Sequence, residues 1–149
     1  MNGKSIENIE LNKNLTETIS TDIEKLGKIL NFKKYRPIKV KFKYVFIDNS
    51  GKNERMSIPG PSDHYLEALL EFDSITFVEM NDFEKNLEWI EQNHKREEFD
   101  FDWLTLNVKK ELENSRPNYN GHPDFFFGTG ANGKSWYLNN KILIKKETN

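Results

Sequence analysis

A chain of 149 residues with net charge -2 and no cysteine is the size of one domain with one core, and it excludes a disulfide framework, thiolate catalysis and a thiolate metal site. Residues 1–15 are polar and no apolar run approaches the length of a bilayer span, so neither a signal peptide nor membrane insertion is expected, and the expected compartment is the cytoplasm. The charge is segregated: residues 33–62 carry eight basic against two acidic side chains, and residues 63–102 carry thirteen acidic against three basic, a block that becomes either a solvated face or a surface that steers a basic partner.

In chain order, Ile19, Ile23, Leu26 and Leu30 recur at helical spacing, and Asn14 with Glu17 has the form of a capping box, which predicts a first helix. From residue 38 to 47 the pattern changes to alternation. Ile38, Val40, Phe42, Tyr44 and Phe46 point one way and Lys39, Lys41 and Lys43 the other, which predicts a half-buried strand. The turn-forming run Asp48-Asn49-Ser50-Gly51-Lys52-Asn53 then predicts an antiparallel return over residues 54–58, ended by Pro59-Gly60-Pro61. Ser62 suits the N-cap of a short helix carrying Tyr65, Leu66, Leu69 and Leu70, residues 75–80 are β-rich, and Asn81 with Glu84 opens a further helix with the stripe Phe83, Leu87, Ile90 and His94.

Over residues 99–108, Phe99, Phe101 and Trp103 alternate with Asp100 and Asp102 before the apolar phase slips to Leu104, Leu106 and Val108. A strand with a bulge fits this pattern, and so does a helix beginning near Asp102. The loop at 115–123 precedes short strands at 125–127, 135–138 and 141–144, with Asn139-Asn140 a tight turn. Together these elements predict an α+β fold, an antiparallel sheet of about five to six strands with two or three helices packed on one face.

Gly128-Thr129-Gly130-Ala131-Asn132-Gly133-Lys134-Ser135 matches the pattern of a phosphate-cradling loop. Such a loop must open a helix, whereas Trp136-Tyr137-Leu138 runs at once into Asn139-Asn140, so the string is expected to be a hairpin turn joining Phe127 to Trp136, with Lys134 an exposed cation. His64, His94 and His122 lack the spacing of a helical metal pair, and no metal or cofactor is expected. Asp100 and Asp102 would emerge from one strand face roughly 6–7 Å apart, as in any Asp-x-Asp strand. The stripe Lys39, Lys41, Lys43 faces away from the neighbouring rings, so it is not a stacking platform for nucleic acid.

The predicted first helix, the hairpin over residues 40–58, the helical region, and then Trp103-Leu104-Thr105-Leu106-Asn107-Val108 resemble the YezG-like immunity proteins that protect bacteria from nuclease toxins. That resemblance implies a non-enzymatic, protein-binding inhibitor whose partner is a basic toxin domain. The acidic residues Glu97, Glu98, Asp100 and Asp102 before Trp103 match the kind of surface that such inhibitors present, and these five are the candidate partner-binding residues. A phage-encoded inhibitor of a host defence complex and a small enzyme using residues 128–135 are the alternatives.

Overall fold

The structure is a computed structural model and describes residues 15–47, 63–86, 94–115, 123–129 and 133–147. Strands β1 (Leu15–Ser20), β2 (Lys39–Ile47), β3 (Asp63–Glu71), β4 (Gly133–Leu138) and β5 (Lys141–Glu147) form a five-stranded sheet in the order β1-β2-β3-β5-β4, with every neighbouring pair antiparallel. The helical elements are α1 (Ile23–Leu26), α2 (Ser74–Lys85), the 3₁₀ turn η1 (Arg96–Phe99), α3 (Leu106–Asn114) and α4 (Asp124–Phe127). The chain thus adopts the expected α+β fold. None of the helices among the described residues is long and apolar enough to cross a membrane.

Alternation along the strands sends apolar side chains to both faces of the sheet. Leu66, Ala68 and Leu70 of β3 and Ile142 and Ile144 of β5 join Val40 and Phe42 in one cluster, closed by Leu26, Leu30, Phe77, Met80, Phe126 and Phe127. Leu69, Leu143, Trp136 and Leu138 point the other way, into a second cluster closed by Phe99, Phe101, Leu104, Val108 and Leu112. The run Ile142-Leu143-Ile144 is therefore a strand buried on both sides, for which a continuous apolar stretch is the usual signature. Helical elements pack on both faces, where one was expected.

Several elements differ from the expectation for physical reasons. The predicted first helix is β1 followed by one helical turn. Asp22 is the cap, accepting from the N–H groups of Glu24 at 2.9 Å and Lys25 at 3.3 Å, and the β-branched Thr16, Thr18 and Ile19 before it pair with β2. Asn14 lies outside the described residues. Residues 65–70 are the central strand β3, not a helix: with β2 on one side and β5 on the other, their peptide groups pair on both edges, and this tertiary pairing overrides a locally helical composition. Because β1 and β3 occupy both sides of β2, the strand that returns beside β2 is β3; residues 54–58 lie outside the described residues.

Residues 75–80, read as β-rich, belong to α2, which starts where Asp73 accepts the Thr76 N–H at 2.7 Å. The helix expected from Asn81 thus begins eight residues earlier, at Asp73, and His94 precedes η1 instead of standing on a helix; residues 87–93 lie outside the described residues. Residues 99–108 contain no strand. Phe101, Leu104, Val108 and Leu112 follow one another at steps of three and four, and Thr105 caps α3 by accepting the Val108 N–H. Residues 125–127 lie in α4, a single helical turn. The strands at 135–138 and 141–144 fall where expected, joined at Asn139-Asn140 with Asn140 at φ 59°.

Candidate functional site

The candidate residues sit on the segment from η1 to the start of α3, which lies across one face of the sheet. Its hydrophobic side is sewn into the core: Phe99 and Phe101 are buried, Phe99 packs against Trp136 with ring centroids 5.7 Å apart, and Phe101 stacks on Trp103 at 5.4 Å. Rings that point inward leave the residues between them pointing outward. Glu97, Asp100 and Asp102 are accordingly exposed.

Polar contacts fasten the same segment at both ends. The Arg96 guanidinium donates to the carbonyls of Leu112 and Glu113 in the last turn of α3 and to that of the capping Ser115, where a cation also complements the helix dipole. Ser115 in turn donates to Leu112 O at 2.6 Å and accepts from Trp136 Nε1 at 3.0 Å. At the other end, Trp103 Nε1 donates to Glu67 Oε1 at 2.7 Å, the Tyr65 hydroxyl donates to Glu67 Oε2, and Lys41 Nζ donates to Trp103 O at 3.2 Å while standing 5.7 Å from the Trp103 ring. Glu67, on the central strand and nearly buried, thus has a donor on each carboxylate oxygen.

The acidic residues do not share one role. Glu98 accepts the Lys95 N–H at 3.0 Å and pairs with Lys134, and the Lys134 ammonium, followed by that N–H, holds the Glu98 carboxyl below the usual range. Asp100 pairs with Lys109 at 2.9 Å. Glu97 and Asp102 have no ion pair among the described residues.

Asp102 belongs electrostatically to the sheet as well. Burial alone would lower the Lys43 pKa, but the hydrogen-bonded Glu17 carboxylate at 3.0 Å, with Asp102 and Glu67 beyond it, raises it. Burial and the Glu67 contact push the Tyr65 hydroxyl up, with Glu147 and Asp102 adding to the effect. The basic and acidic blocks of the sequence therefore interleave here: Lys41 and Lys43 of β2 lie on the sheet face that carries Glu67 of β3, and the charge of Asp102 acts on Lys43 there.

The two motifs singled out in the sequence meet at the Glu98–Lys134 pair. Lys134 is half-buried and ion-paired, not the exposed cation that was expected. No phosphate-binding helix follows it, because Lys134 and Ser135 are already inside β4, and where the expected hairpin needs a strand at residues 125–127 the chain makes a helical turn; residues 130–132 lie outside the described residues. The glycines serve the backbone. Gly128 ends α4 at φ 65°, and a Cβ on Gly133 would stand 2.7 Å from the Cβ of Thr129 and 3.1 Å from Pro123 Cγ.

Among the described residues, no group of three or more His, Asp or Glu side chains could hold a metal ion. His64 lies 5.9 Å from the Tyr44 ring and His94 lies 6.1 Å from Phe99; His122 is outside the described residues. The roles of Tyr65, Glu67 and Lys41 carried no local signal in the sequence, since they depend on the register of β3 against β2 and on Trp103 crossing above it. No protein-family model, no curated protein and no solved structure matches the chain.

Proposed function

We propose that the protein is a cytoplasmic protein-binding inhibitor of the toxin-immunity kind, which engages a basic toxin domain through Glu97, Glu98, Asp100, Asp102 and Trp103 without a cofactor. The observation that carries this reading is the anchoring of the segment: its rings are locked into the core and Glu97, Asp100 and Asp102 are turned outward, so the acidic ridge is ordered before any partner arrives. A preordered surface loses little side-chain and backbone freedom on association, and carboxylates arranged in advance steer a basic partner toward it. Glu97 and Asp102 offer charge free of ion pairs among the described residues, whereas Asp100 and Glu98 exchange Lys109 and Lys134 for groups of the partner.

The test is isolation of the partner by pull-down from the native organism, followed by titration of the purified partner with the Asp100→Lys/Asp102→Lys variant. Affinity is expected to fall by at least about a hundredfold, since two close charge pairs become repulsive. Unchanged affinity would remove this surface from the interface.

A further inference from the structure

The two edges of the sheet are not alike. β4, at one edge, buries every side chain from Gly133 to Leu138 except Lys134, under Phe99 on one face and Phe77 on the other. β1, at the opposite edge, has β2 as its only strand neighbour among the described residues, and Thr16, Glu17 and Ile19 are exposed, Ile19 by 53%. Edge strands are ordinarily protected by lysine, proline or a bulge. Leu15-Thr16-Glu17-Thr18-Ile19-Ser20 has none of these, its one charge, Glu17, is paired with Lys43, and it is rich in β-branched residues, while the lysines that would guard an edge stand on β2, inside the sheet.

We infer that β1 is a self-association edge, at which a second copy of this chain pairs antiparallel about a two-fold axis at Thr18 and continues the sheet. The choice of occupant follows from register. Residues directly opposite in an antiparallel pair project on the same face, so a symmetric pairing must be centred on a residue, and only centres at Glu17 or Thr18 use nearly the whole of β1. A centre at Glu17 sets that carboxylate against Glu17 of the second copy, which is destabilising.

A centre at Thr18 avoids the clash. Thr18 then meets Thr18 of the second copy and Thr16 meets Ser20, a row of hydroxyl-bearing side chains on one face. On the other face Glu17 meets Ile19, whose own neighbour across β1 and β2 is Lys43. Each Glu17, which pairs with Lys43 of its own copy at 3.0 Å, then has the lysine of the opposite copy one apolar residue away. The contact is about 20 Å long and a single strand deep, below the size of a standard stable interface, so it forms in the micromolar range.

The absence of native cysteine makes the register directly readable. Opposed residues in an antiparallel pair have Cα atoms about 4.5–5.5 Å apart, within disulfide range, so Thr18→Cys should oxidise to a covalent dimer. Thr16→Cys, displaced by four residues from its own copy, should not. In sedimentation, Thr18→Lys and Thr18→Glu alone should each weaken association by roughly tenfold or more, and an equimolar mixture should restore it. Circular dichroism establishes that each variant is folded. A wild-type chain that stays monomeric at several hundred micromolar, equal cross-linking at both positions, or folded lysine and glutamate variants that do not associate when mixed would overturn the inference.

Discussion

Glu67 shows how much of this molecule hangs on single hydrogen bonds. It is a nearly buried carboxylate on the central strand, kept there by donors from Tyr65 and Trp103. Trp103→Phe keeps the ring stacked on Phe101 but withdraws the Nε1 donor, and an acceptor left without its donor costs about 1–3 kcal/mol. Urea unfolding of this variant is expected to show that loss, with a smaller one in Trp103→Phe/Glu67→Gln. Glu84 poses the opposite case: its side chain is fully buried on α2, receives the Tyr137 hydroxyl, and burial pushes its pKa up to about 8.

The sign of the Glu84 effect follows from its proton. Below the ordinary value of 4.5 both folded and unfolded chains hold the proton; between 4.5 and about 8 only the folded chain keeps it, so the contribution to stability is lost as pH rises across that window. Glu84→Gln is expected to flatten the stability profile between pH 5 and pH 8, measured as the urea midpoint at each pH. Glu98 works in reverse: its lowered value makes its contribution one that disappears as pH falls. Neither role was legible in the sequence, where Glu84 fits a capping position and Glu98 an acidic run.

At the scale of elements, legibility followed the nature of the signal. β2 carried a period-two pattern, and the β4–β5 hairpin carried two short apolar runs split by the turn residues Asn139-Asn140; both formed where expected. β3 did not, because a strand buried on both faces has no alternation to reveal, and Leu66-Glu67-Ala68-Leu69-Leu70 is good helical composition until two neighbours claim its peptide groups. The caps expected from the sequence misled, since Asn81 stands inside α2 and the residues after Ser62 form β3; the caps that start the helices are Asp22, Asp73 and Thr105. Thr105→Ala is therefore expected to destabilise the chain by about 1 kcal/mol in thermal unfolding.

The phosphate-loop pattern belongs at this scale too. Its glycines match because a left-handed helix end and a close backbone approach need glycine, as a nucleotide loop would. Gly128→Ala should cost about 1–2 kcal/mol for the left-handed backbone, and Gly133→Ala should cost more, because Thr129 and Pro123 must move. Thermal unfolding of the two variants orders them. If instead both left stability untouched, the backbone explanation of the pattern would be wrong.

For the whole molecule, the sheet is a wall with two differently used sides. One side is filled by α1, α2 and α4, and the other carries the η1–α3 segment with its rings inward and its carboxylates outward. The five candidate residues lie close together in the sequence and so fall on one segment, although the strand expected to display them is a helical turn and a loop. The segregation of charge was visible as well; its partial cancellation across the sheet, through Lys43 with Glu17 and Lys134 with Glu98, was not, because it depends on strand order.

Whether this anchored ridge meets a basic protein is tested most directly by the association rate with the purified partner. For the native chain that rate should fall steeply as ionic strength rises from about 50 to 500 mM, and Glu97→Lys/Asp102→Lys should slow association by about tenfold or more at low salt while barely altering the salt-screened rate. A rate indifferent to salt, and unchanged in the charge-reversed variant, would contradict it.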